Sequence, residues 1–175
     1  MKMFPMLWRF FPTLDPEVEL FVSRDLDSRF SAREEAAVSE WMESGRALHA
    51  MRDHPWHPVP MLGGGWGARL TDEEVRGHWR SSWTQILKDQ KAYSSKTAKG
   101  QDQDILRDHV WRPWGSKNCV QHDSYCCRTF PGSVGFPIQR KKEPYNFFGS
   151  VGPKPFWEEC PIECRREGHK DWKYC

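Results

Sequence analysis

The sequence predicts an α/β domain, an open sheet flanked by helices, followed by an irregular, cysteine-rich tail. Three observations carry that expectation. Val18, Leu20, Phe21 and Val22 form a short apolar, β-favouring run, which reads as a buried strand. Capped segments with a helical apolar period alternate with such runs. All six cysteines (Cys119, Cys126, Cys127, Cys160, Cys164 and Cys175) lie behind residue 118, and from Thr129 the chain is rich in Gly and Pro. The expected division is a domain over residues 1–128 and a disulfide-tied tail over 129–175.

In chain order, Met6-Leu7-Trp8-Arg9-Phe10-Phe11 suits a short helix ended by Pro12, and Asp15-Pro16 a turn. The strand over 18–22 is apolar on both faces, as in the centre of a largely parallel sheet. Ser31 with Glu34 is a capping box; it opens a helix from Ala32 to about Glu43 that Gly45 ends. Ala36, Ala37, Trp41 and Met42 lie on or near its buried side. Ala47-Leu48-His49-Ala50-Met51-Arg52 is a second strand, closing on Asp53-His54-Pro55. Gly63, Gly64 and Gly65 allow close backbone approach or a tight bend, but lack the lysine and serine of a phosphate loop. Thr71 caps a helix from Asp72 to about Asp89, with Val75, Trp79, Trp83, Ile86 and Leu87 on its apolar face. Residues 91–100 read as a polar surface loop. Asp102-Gln103-Asp104 opens a helix carrying Ile105, Leu106, His109 and Val110 and ending before Pro113. Residues 119–125 read as a strand or strand end. No internal repeat is present.

The 175 residues suffice for one domain with a real core. A net charge of +2 implies no strong electrostatic partner, and the scattered basic residues do not point to nucleic acid. The one dense basic run, Arg140-Lys141-Lys142, reads as a solvated loop ahead of a diphosphate clamp. An even number of cysteines in one loop-rich region favours disulfides and an oxidising compartment. The competing zinc set of Cys160, Cys164, His169 and Cys175 lacks a second tight pair. Pro5, Arg9 and Pro12 break the apolar start, so neither an export signal nor a membrane span is visible. Cysteines and N-terminus agree if the chain lacks the front of its parent protein, where an anchor would lie.

Asp25-Leu26-Asp27 follows the first strand directly. Ligands of open α/β sheets bind beyond the carboxyl ends of strands. Two acids there suit Mn²⁺ or Mg²⁺, which in turn neutralises a diphosphate. The same triplet is common in solvated turns. Asp53 either contacts donor or acceptor hydroxyls or caps its turn. Gly63, Gly64 and Gly65, with Trp66 behind them, either underlie a sugar or make a bend. Asp102 is an N-cap or a site acid, and His122 a strand-end histidine or a ligand. His54 and His57 read as a polar turn ahead of a metal pair.

Five motifs stand in one order: Ser23-Arg24-Asp25-Leu26-Asp27-Ser28-Arg29, Met51-Arg52-Asp53-His54-Pro55, Gly63-Gly64-Gly65-Trp66-Gly67, Asp102-Gln103-Asp104-Ile105-Leu106 and Gln121-His122-Asp123-Ser124-Tyr125. Together they resemble the nucleotide-sugar glycosyltransferases of the GT-A fold, in particular glycosyltransferase-like proteins with an Arg-Asp-x-Asp-Ser-Arg signature. The resemblance runs from about Leu7 to Gly152 and implies the carboxyl half of a Rossmann-like mixed sheet, without the nucleoside-binding strands. It implies Asp25, Asp27 and His122 as ligands of Mn²⁺ or Mg²⁺. It implies Asp102 and Gln103 as catalytic residues, as in retaining hexosyltransferases of the glycogenin type. Arg24, Asp53, Gly63, Gly64, Gly65 and Trp66 are the expected donor and acceptor contacts. The glycogenin-type His-x-x-Gly-x-x-Lys-Pro-Trp ending is absent.

The function implied is metal-dependent transfer of a sugar from a nucleotide-sugar to a glycan, protein or lipid acceptor in the Golgi lumen, by an enzyme of which this chain is expected to be a truncated part. The alternative is a non-catalytic, cysteine-stapled binding or structural protein on the same fold.

Overall fold

The computed structural model describes residues 2–93 and 99–175. It is a mixed α/β structure built on one four-stranded sheet. The strands are β1 (Leu20–Arg24), β2 (Leu48–Arg52), β3 (Gly65–Arg69) and β4 (Cys119–Asp123), in the spatial order β1-β3-β2-β4. β3 runs antiparallel to both its neighbours, while β2 and β4 are parallel. β1, β2 and β4 therefore all point the same way, and their carboxyl ends share one edge of the sheet.

β3 is the element the sequence concealed. Its glycines read either as a point of close backbone approach or as a bend, and the run Gly65-Trp66-Gly67-Ala68-Arg69 alternates as a strand should. Trp66 and Ala68 enter the main core. Gly65 and Gly67 turn to the other face, where a Cβ on Gly67 would stand 2.8 Å from the Trp41 ring and one on Gly65 2.9 Å from Phe148. Only glycine lets those two aromatic rings lie on the strand.

With β3 inserted, β1 is an edge strand and not the expected central one. Leu20 is 40% exposed, and Phe21 and Val22 are half-buried. Leu70 N–H donates to Glu19 O, so alternation leaves the N–H and C=O groups of Leu20, Val22 and Arg24 facing outward.

Helices cover both faces. α1 (Ala32–Ser44) is capped by the Ser31 hydroxyl, which accepts from Glu34 N–H, and closes at Gly45 in the left-handed region (φ 69°). Met42, expected near the buried side, is exposed. α1 covers a small cluster of Ala37, Met51, Phe136 and Phe148. The opposite face carries the larger core, in which Leu48, Trp66, Trp79, Trp83, Ile86 and Leu106 meet. Its helices are α2 (Glu73–Ile86) and α3 (Gln101–Leu106). Asp72, not Thr71, caps α2 by accepting from Glu74 N–H at 2.7 Å. α2 stops at Ile86, which leaves Leu87 exposed. α3 opens on Gly100 at φ 87°, not on Asp102, and winds on as a π-helix over Arg107–Trp111. Of the loop expected over 91–100, residues 94–98 lie outside the described residues.

The N-terminal segment is a 3-10 helix, Pro5–Leu14, and runs through Pro12 instead of stopping there. Three residues per turn sort its side chains into three lines. Leu7, Phe10 and Thr13 are buried. Trp8, Phe11 and Leu14 are exposed. Met6 and Arg9 face a cavity.

Two disulfides tie the C-terminal region, Cys127–Cys164 and Cys160–Cys175. The first joins the end of β4 to the tail, and the two together use three of the four residues of the zinc alternative. Cys119 and Cys126 are free thiols. The disulfides are compatible with an extracellular or secretory-pathway location. Among the described residues no helix is long and apolar enough to cross a membrane.

Candidate functional site

A cavity of about 440 Å³ opens at the carboxyl ends of the parallel strands. The 3-10 helix and its N-cap supply Phe4, Met6 and Arg9, and the residue after β1 is Asp25. Leu62, Gly63 and Gly64 come from the approach to β3. Lys99, Gly100, Asp102 and Gln103 come from the start of α3, and His57, Phe148 and Gly149 complete the wall. Five residues singled out from sequence thus share one cavity: Asp25, Gly63, Gly64, Asp102 and Gln103.

The glycines make this convergence sterically possible. A Cβ on Gly63 would overlap the Asp102 carboxylate, and one on Gly64 would overlap that of Asp25. Ser23 Oγ donates to Gly63 O at 2.7 Å and fixes the turn to β1.

Between the two acids lies Arg9. Its Nη1 is 2.7 Å from Asp25 Oδ1 and its Nη2 3.2 Å from Asp102 Oδ2. The Asp102 side chain is buried, and burial pushes its carboxyl up while Arg9 pulls it down. The sequence reading missed Arg9, because a lone arginine in an apolar segment carries no spacing signal. It also missed Lys99 and Phe148.

His57 lines the cavity through a different contact than the metal pair considered for it. Its Nδ1 accepts from Asp53 N–H at 3.3 Å, and His54 Nδ1 accepts from Trp56 N–H at 3.2 Å. Both Nδ1 atoms are thereby taken by backbone. Burial holds His57 down at about 4.

The other expected site residues lie elsewhere. Asp27 is exposed in the turn after β1. Arg24 turns to α1, with Nε 2.7 Å from Glu34 Oε1 and its guanidinium 4.7 Å from the Phe148 ring centre. Burial pushes Glu34 up to about 7 against the pull of Arg24. Gly65 lies under Phe148, and Trp66 is fully buried against Trp79.

Asp53 is buried and its carboxylate is saturated. It accepts from Arg33 Nε and Nη2 (both 2.9 Å), Ser124 Oγ (2.6 Å), Arg140 Nη2 (2.6 Å) and Phe148 N–H (2.9 Å). Burial alone would raise this carboxyl, but Arg140 and Arg33 outweigh it and hold the group well below the usual range. Asp53 binds α1, β4 and the tail to β2; it does not face the cavity. Arg140, expected in a solvated loop, is buried with it.

His122 is fully buried in β4, with Nδ1 2.8 Å from His49 Nε2 and Nε2 3.7 Å from Glu40 Oε2. Three strand spacings, roughly 14 Å, separate β4 from β1. Asp25, Asp27 and His122 therefore do not form one coordination shell. Among the described residues, no group of three or more His, Cys, Asp or Glu is placed to hold a metal ion.

The fold and the site define an α/β protein with an acid-lined cavity at the carboxyl edge of its parallel strands. No family model matches the chain, and no curated protein or solved structure matches it.

Proposed function

We propose that the chain binds a nucleotide-sugar in this cavity and transfers the sugar to an acceptor, as a GT-A-like glycosyltransferase of the Golgi lumen. One observation carries the reading. Acids, glycines and an amide from three separate stretches, Asp25, Gly63 with Gly64, and Asp102 with Gln103, line the same cavity. A mixed sheet with three parallel strands and one antiparallel is compatible with that architecture.

Sugar transfer separates a diphosphate, which gathers negative charge, from a ring that becomes oxocarbenium-like. The half-enclosed Asp102 carboxylate and the Gln103 amide oxygen suit the positive ring. Lys99 is the cavity cation that suits the diphosphate, since Arg9 is held between Asp25 and Asp102. The Mn²⁺ or Mg²⁺ implied by the resemblance would find only Asp25 and Asp27 of its three expected ligands near one another, and Asp25 already holds Arg9. The shell does not fit as expected, and no step is assigned to a cation.

The test is release of nucleoside diphosphate from a panel of UDP- and GDP-sugars, with and without Mn²⁺. Native protein should turn over at least one donor, and Asp102→Asn should lose about a hundredfold. No turnover by the native protein, or full activity in Asp102→Asn, would reject the reading and leave the non-catalytic binding protein.

A further inference from the structure

We propose that Trp56, with His54 beside it and Phe147 against His54, forms an acceptor subsite outside the cavity that takes a neutral saccharide ring. The acceptor class is thereby a glycan; this rests on the sugar-transfer reading of the cavity.

Trp56 is 85% exposed, more than any other tryptophan among the described residues. An indole leaves a large apolar face in water, a cost that a bound ligand removes. The turn that carries it is firmly held. Pro55 and Pro58 flank the turn, and His57 N–H donates to His54 O at 2.9 Å. Trp56 N–H donates to His54 Nδ1, and Val59 N–H to His57 O at 2.8 Å. The ring is presented on a fixed backbone rather than a loose loop.

The neighbours extend the surface toward the cavity. The His54 ring centre lies 5.3 Å from that of Trp56, 5.0 Å from Phe147 and 4.2 Å from Phe156. One residue beyond Trp56, His57 is in the cavity wall, and its Cε1 approaches Gly149. Phe148, next to Phe147, lines the same wall. Two chain segments, 54–57 and 147–149, thus run from wall to surface, each carrying aromatic rings. Burial holds the His54 and His57 rings toward their neutral forms. The rings themselves are uncharged, and Arg140, 5.2 Å from the Phe156 ring centre, is buried against Asp53, so the strip offers flat faces to the C–H face of a pyranose and no free counter-charge to an anionic sugar.

The experiment is binding to an array of immobilised neutral and sialylated oligosaccharides. Native protein should bind neutral glycans. Trp56→Ala should lose about tenfold in affinity, while Trp56→Phe stays within about threefold because it keeps a flat ring. Trp8→Ala, an exposed tryptophan on the 3-10 helix, should bind as the native protein does. Thermal unfolding of each variant checks that the fold is kept. The proposal is overturned if native protein binds no glycan, binds only sialylated ones, or binds equally well without Trp56. Donor turnover without acceptor, read on native protein, reports on the cavity alone, so the two readings fail separately.

Discussion

The Asp102 carboxylate rests directly on the backbone of Gly63, with no room between them for a methyl group. Gly63 has no positive φ, so alanine there meets only a steric obstacle. Gly63→Ala should push Asp102 out of place, cost about 1–3 kcal/mol, and abolish the nucleotide-sugar binding proposed for the cavity. Gly152→Ala, which meets nothing within 4 Å, should leave both unchanged. Calorimetric unfolding and donor titration of the two variants check this.

Asp53→Asn should destabilise by about 3–5 kcal/mol, because Arg33 and Arg140 would stay buried without a counter-charge. The native carboxyl is depressed, so its contribution is present above the ordinary carboxylate range and lost as pH falls below it. Urea unfolding from pH 7 to 3 should show the native protein losing stability on the acid side. An Asp53→Asn variant with near-native stability would contradict the anchoring role.

His49, His122 and His57 are all held below their ordinary value, chiefly by burial. Below the ordinary histidine value the unfolded chain takes up protons that these rings do not. Each ring then lowers stability by about 1.4 kcal/mol per pH unit. Glu34 acts in the opposite sense: its raised carboxyl binds a proton in the native state first, which stabilises as pH falls below about 7. The three deeply buried rings, with the half-buried His54 adding to them, outweigh the raised carboxyls of Glu34 and Asp102, so stability should decline from pH 6.5 to 5. Glu34→Gln should steepen the decline, as measured by chemical unfolding; a flat or rising profile would refute the balance.

His122→Ala should lower the melting temperature and leave Mn²⁺ affinity as it was. Asp25→Ala should change Mn²⁺ affinity if any binding is found. Calorimetric titration of both variants decides the point, and loss of Mn²⁺ binding in His122→Ala would return the histidine to the shell.

Alkylation of the denatured, unreduced protein should mark two cysteines, Cys119 and Cys126. Opening Cys127–Cys164 should cost about 4 kcal/mol, given the 37 residues it spans. Peptide mapping and unfolding with and without reductant read both quantities. Six alkylated thiols would overturn the compartment argument as well.

The sequence by itself determined whatever depends on local chemistry. The Ser31 cap, the Gly45 stop, the apolar face of α2, β1, β2 and β4, and the oxidised tail were legible because caps, periodicity and cysteine number act over a few residues. It also named five residues that come to share a cavity. The tertiary structure alone decided the rest. β3 was hidden because its glycines exist to receive aromatic rings from distant parts of the chain, Trp41 on Gly67, 26 positions away, and Phe148 on Gly65, 83 positions away. Arg9 reached Asp25 and Asp102, and Asp53 and His122 left the expected site for buried networks, because partners far apart in the chain set the charge and solvation of each group. Burial is a property of the folded chain, and a motif does not carry it.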